Sequence, residues 1–112
     1  MSTLPDEFKV SLESRDGACV VFVSGEIDLA THDELTAKLR EAARGEQPVV
    51  VDLSACHFID SSGIRALLLG EREASGFSIA GAAEQVKRVL EMTGVTQAVP
   101  VHGTLEQALE SL

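Results

Sequence analysis

The stretch PVVVDLSACHFIDSSGIRALLL, Pro48 to Leu69, passes from one periodicity to another. Pro48-Val49-Val50-Val51-Asp52-Leu53 is short, apolar and β-branched, the pattern of a buried strand. Ile64, Leu67 and Leu68 then recur at helical spacing. Ser54 to Asp60 reads as the connection, so Asp60-Ser61-Ser62-Gly63 sits at a strand-to-helix junction. Aspartate and serine oxygens accept the free N–H groups of a first helical turn, and capping is the first duty that spacing assigns them. Gly63 loosens the entry.

Upstream, Phe8-Lys9-Val10-Ser11-Leu12-Glu13 alternates apolar and polar, as an edge strand with one face in the core does. Arg15-Asp16-Gly17 supplies a tight turn, and Ala18-Cys19-Val20-Val21-Phe22-Val23 returns as an interior strand. Thr31-His32-Asp33-Glu34 has the form of a capping box. The helix it opens carries Leu35, Leu39, Ala42 and Ala43 on one stripe, and Gly45 is placed for a left-handed C-terminal cap.

Downstream, Gly76 ends the second helix and Phe77-Ser78-Ile79-Ala80 forms a strand. A helix with Val86, Val89, Leu90 and Thr93 on one face closes at Gly94. A brief strand near Val99-Pro100-Val101 leads to a second capping box, Thr104 to Gln107, and a last helix with Leu105, Ala108, Leu109 and Leu112 as its apolar face. The series predicts one α/β domain, 1–112, with a mixed, largely parallel sheet packed with α-helices and an initial β-hairpin.

A chain of 112 residues with 45% hydrophobic and 24% charged residues can bury a real core. Its net charge of -9 opposes a phosphate backbone or an anionic membrane surface, so neither nucleic acid nor membrane is an expected partner. No apolar run approaches the roughly 18 residues of a membrane helix, and Met1 to Glu7 lacks the form of a signal peptide, which predicts a cytoplasmic protein. Cys19 and Cys56 form neither a CxxC pair nor a disulfide framework and read as two reduced thiols.

Loops that follow the C-terminal ends of parallel strands gather on one edge of the sheet, where ligands and partners bind. Gly25-Glu26-Ile27-Asp28 and His57 to Gly63 both qualify, which brings Asp28 and Ser61 to the same edge. An exposed serine at a helix start can accept a phosphoryl group, because backbone N–H groups and the helix dipole favour added negative charge there. A hydrolase elbow is not supported, since GxSxG is missing. His32, His57 and His102 are scattered without metal-ligand spacing, no glycine-rich nucleotide loop is present, and no cofactor is predicted. Asp52 lacks the acidic cluster of a phosphoaspartate receiver and reads as a strand-end or turn residue.

Val23-Ser24-Gly25-Glu26-Ile27-Asp28, Val49 to Leu53 and Phe58-Ile59-Asp60-Ser61-Ser62-Gly63-Ile64 together resemble the STAS domain of the stand-alone bacterial anti-sigma factor antagonists. Ala83 to Leu90 and Thr93-Gly94-Val95 extend the resemblance over nearly the whole chain. It implies a binding protein rather than an enzyme. The unphosphorylated form engages an anti-sigma factor serine kinase and frees the sigma factor, phosphorylation by that kinase ends the complex, and a serine phosphatase restores it. The acceptor position carries over to Ser61, with Asp60, Ser62 and Gly63 beside it and Glu26 and Asp28 near the partner surface. The alternative that the resemblance allows is an interaction subunit of a lipid-transport or stressosome-type complex without a phosphorylation cycle. One departure stands out: many members have a second glycine where this chain has Arg65.

Overall fold

The computed structural model describes residues 7–112, so the expectation placed on Met1 to Asp6 lies outside the described residues. The chain runs β1 Lys9–Arg15, β2 Ala18–Ile27, α1 His32–Ala43, β3 Val49–Ile59, α2 Ser61–Glu73, β4 Phe77–Ala80, α3 Glu84–Met92, α4 Val95–Ala98, β5 Val101–His102 and α5 Leu105–Glu110. The five strands form one sheet in the order β1-β2-β3-β4-β5. Only β1 and β2 are antiparallel; the remaining pairs are parallel. Their hairpin closes on Asp16 and Gly17, both at positive φ, the two-residue turn whose twist matches that of the flanking strands.

Sequential parallel strands joined by crossovers of one hand place their helices on one face. Leu35, Leu39 and Ala42 of α1, Ile64, Ala66 and Leu67 of α2, and Val86 and Leu90 of α3 accordingly share one core with Val21, Val49, Val51 and Ile79. On the opposite face Ala108 of α5 covers Ala18, Val50 and Ala80. Alternate residues of β3 therefore face two apolar layers, which is why its sequence shows no polar alternation. Each fully buried Leu, Ile or Val contributes about 1.5–3 kcal/mol relative to exposure.

Several local expectations are corrected. The connection placed at Ser54 to Asp60 is mostly strand: β3 continues to Ile59, pairing Ser24 with Ala55, Gly25 with Cys56, Glu26 with Phe58 and Ile27 with Ile59. Two register shifts break the alternation there, and β4 stops at the Asp52–Ala80 pair, so a two-strand ribbon projects beyond the rest of the sheet. Asp52 is consequently a buried residue within β3, its Oδ1 accepting the Ser54 N–H at 2.8 Å. Gly45 is not left-handed; Arg44 caps α1 in a helical conformation, and the Gly45 N–H returns to the Ala42 carbonyl at 3.2 Å. Thr93 is exposed, and its hydroxyl donates to the Val89 carbonyl. Helix α5 ends at Glu110, which leaves Leu112 exposed instead of on its apolar face. The short α4, which buries Val95, is not apparent in the sequence pattern. Both cysteines are free thiols, Cys56 buried and Cys19 partly so.

Candidate functional site

The β2–β3 ribbon delivers two loops to one end of the molecule. Ile27 and Ile59 are paired, and the Asp60 N–H donates to the Ile27 carbonyl at 3.1 Å, so the start of α2 is tied to the end of β2. Asp60 is extended and caps α2: its Oδ1 accepts the N–H of Ser62 at 2.9 Å and of Gly63 at 3.2 Å. The same oxygen accepts the Ser62 hydroxyl at 2.5 Å. The hydrogen bond from the Ser62 hydroxyl is the main cause that holds the Asp60 carboxyl below the usual aspartate range, with the two backbone N–H groups and the charge of His32 adding to it.

The two serines therefore differ. Ser62 is half-buried and its hydroxyl is spent on the cap. Ser61 is exposed, and its hydroxyl makes no side-chain hydrogen bond among the described residues. Neither hydroxyl is bonded to a histidine in the manner of an activated nucleophile.

Gly63 has a duty other than loosening the entry. It is buried at ordinary φ, and a Cβ on it would lie 2.6 Å from both Ile27 Cγ2 and Ile59 Cγ1. Only a residue without a side chain lets the first turn of α2 lie on the ends of β2 and β3.

The second loop is closed by Thr31, whose hydroxyl serves this turn and not the helix cap that its capping-box spacing predicts. Thr31 makes no capping bond to α1. Its hydroxyl donates to the Glu26 carbonyl at 2.8 Å and accepts the Asp28 N–H at 2.9 Å. The Asp28 Oδ1 accepts the Ala30 N–H at 2.9 Å, and the Asp28 carbonyl accepts the N–H groups of Thr31 and His32. Asp28 is thus half-buried and shapes its own turn, whereas Glu26, the last but one residue of β2, is exposed after Gly25 at φ 92°. Two further exposed apolar residues lie here, Leu29, 79% exposed at the tip of this loop, and Phe58, 47% exposed and paired with Glu26. An isolated leucine in a polar loop is the sequence signal for the first. Among the described residues no cluster of His, Cys, Asp or Glu could hold a metal ion, and no helix is long and apolar enough to cross a membrane.

The Asp60 cap has a pH signature. Its carboxyl is depressed in the folded chain, so its contribution to stability is complete above the ordinary aspartate pKa of about 3.9 and is lost as pH falls through the lower folded value. Asp60→Asn keeps an oxygen acceptor but cannot titrate. Between pH 6 and pH 3 the urea midpoint of the native chain should fall further than that of Asp60→Asn, and Asp60→Ala should cost about 1 kcal/mol at neutral pH.

A five-stranded α/β sheet with a capped strand-to-helix junction thus presents one unengaged hydroxyl at the end of the β2–β3 ribbon. A family model described as "Mlab, STAS domain" matches residues 10–106, and the chain belongs to the STAS domain family. It is 27% identical over 110 residues to the anti-sigma F factor antagonist of Paenibacillus polymyxa, covering 93% of this chain and 94% of that one. It is 29% identical over 110 residues to the anti-sigma-F factor antagonist RsfB of Mycobacterium tuberculosis, covering 94% of this chain and 89% of that one. The crystal structure of an anti-sigma factor antagonist from Mycobacterium paratuberculosis superposes with a TM-score of 0.89 at 31% identity, covering 98% of this chain and 97% of that one.

Proposed function

We propose that this chain, one STAS domain over residues 1–112, is a cytoplasmic anti-sigma factor antagonist and not an enzyme. Its unphosphorylated form binds an anti-sigma factor serine kinase and releases the sigma factor, and phosphorylation of Ser61 switches it off. Glu26, Asp28, Asp60, Ser61, Ser62 and Gly63 lie at the partner-binding end. The observation that carries the reading is the contrast between the two hydroxyls: Ser62 is bonded to Asp60, while Ser61 is exposed and unengaged. The antagonist names of the similar proteins support it.

In the proposed transfer the Ser61 oxygen bonds to the γ-phosphorus of ATP held by the kinase. The bond from that phosphorus to the β–γ bridging oxygen breaks, ADP leaves, and the hydroxyl proton passes to a base of the kinase. A serine phosphatase hydrolyses the ester and restores the hydroxyl.

The STAS family match is also compatible with a second reading, an interaction subunit of a lipid-transport or stressosome-type complex without a phosphorylation cycle. Affinity purification of the tagged chain from its own cells separates the two. Recovery of a kinase-type anti-sigma factor is the expected result, and recovery of transporter or scaffold subunits alone contradicts it.

A further inference from the structure

Arg65 stands where the family resemblance leads one to expect a second glycine, and it follows Ser61 by four residues on α2. It is exposed and has no ion pair among the described residues. Ser61 and Arg65 border the same groove of about 420 Å³, whose apolar members are Ile64, Leu68 and Leu69, with Arg72 further along. We propose that Arg65 pairs with the phosphate of phosphoserine at position 61 across one turn of α2, a regulation of the switch that rests on the reading of Ser61 as acceptor.

Side chains four residues apart on a helix are neighbours, and the anion-first, cation-second order is the favoured one. A guanidinium is always charged and its fork matches phosphate oxygens bidentately, which an ammonium does less well. Phosphoserine loses its second proton with a pKa of about 6, so a nearby cation decides how much of it is dianionic near neutral pH.

The surrounding charges make Arg65 the residue to watch. Glu26 lies at the end of β2 and Asp28 in the turn beyond it, Asp33 lines a cleft with Ser62 and Arg65, and Asp60 directly precedes Ser61, so carboxylates predominate at this end. His32, on α1, sits 3.5 Å from Asp33, and His57 lies on β3 three residues before the Asp60 cap. Arg65 also borders the cleft between α1 and α2 with His32 and Asp33, so Asp33 is the competing anion before Ser61 is modified. Arg72 follows Ser61 by eleven residues, about 16 Å along the helix axis, and is too far to contribute.

The test installs phosphoserine at position 61 during translation, so it needs no kinase. Phosphorus NMR then follows the phosphate from pH 4.5 to 8, a range chosen to bracket a second pKa of about 6. In Arg65→Gln the second pKa should lie roughly 0.15–0.4 pH unit above that of the native phosphorylated chain. Arg65→Lys should recover part of the difference, and Arg72→Gln should titrate with the native chain. Superimposable curves for the native and Arg65→Gln chains overturn the pair, as does an equal rise in Arg72→Gln. Failure of a kinase to modify Ser61 would appear in a separate assay and leave this titration unchanged, so the two readings fail distinguishably.

Discussion

Ser61→Asp is expected, under the switching proposal, to bind the anti-sigma kinase about a hundred- to a thousandfold more weakly than the native chain while keeping its circular dichroism spectrum. The fold tolerates the charge because Ser61 is the exposed first residue of α2, where an anion is stabilised by about 0.3–2 kcal/mol. The interface does not share that tolerance. A partner carboxylate about 4 Å from the new charge costs on the order of 4 kcal/mol at an effective dielectric near 20, and each 1.4 kcal/mol is tenfold in affinity. Ser62→Asp provides the contrast. It removes the 2.5 Å bond to Asp60 and sets two carboxylates together in the cap, so it should lose stability as well as binding. Isothermal titration alongside urea unfolding separates the two effects, and equal binding by native and Ser61→Asp chains would count against the switch.

Gly63→Val is expected to destabilise the chain by about 3 kcal/mol or more, with a fall of roughly 10–15 °C in the thermal midpoint. The first atom added already overlaps two isoleucines at 2.6 Å, and both belong to the paired strand ends that carry the site. Relief requires α2 to lift from Ile27 and Ile59, which also strains the Asp60 to Ile27 backbone bond. Gly45→Ala is the control, because its methyl meets only the Ala42 carbonyl oxygen at 3.5 Å. Its midpoint should stay within about 4 °C of the native value. Similar losses in the two variants would mean that crowding at Gly63 is not what the glycine relieves.

Much of this architecture is written locally. Asp16-Gly17 announces its turn because both positions need positive φ, and Phe77–Ala80 is bounded by turn residues on each side. The face-by-face covering of β3 follows from its unbroken Val49-Val50-Val51 run. The ribbon beyond Asp52 was hidden because register shifts interrupt the period of two that marks a strand, so Cys56 and Ile59 looked like loop residues. Thr-x-x-Glu predicts a helix cap at Thr31, but the tertiary demand of closing the Glu26 to Asp28 turn outcompetes it. Asp60 could be read as a cap from spacing alone. The inequality of Ser61 and Ser62 could not, since both follow the same aspartate and only the direction of each side chain separates them.

The most direct measurement is intact-mass analysis with site localisation after incubation of the chain with its cognate anti-sigma kinase and ATP. One added phosphate on Ser61 is expected, absent from Ser61→Ala and retained in Ser62→Ala. Undiminished phosphorylation of Ser61→Ala would contradict it.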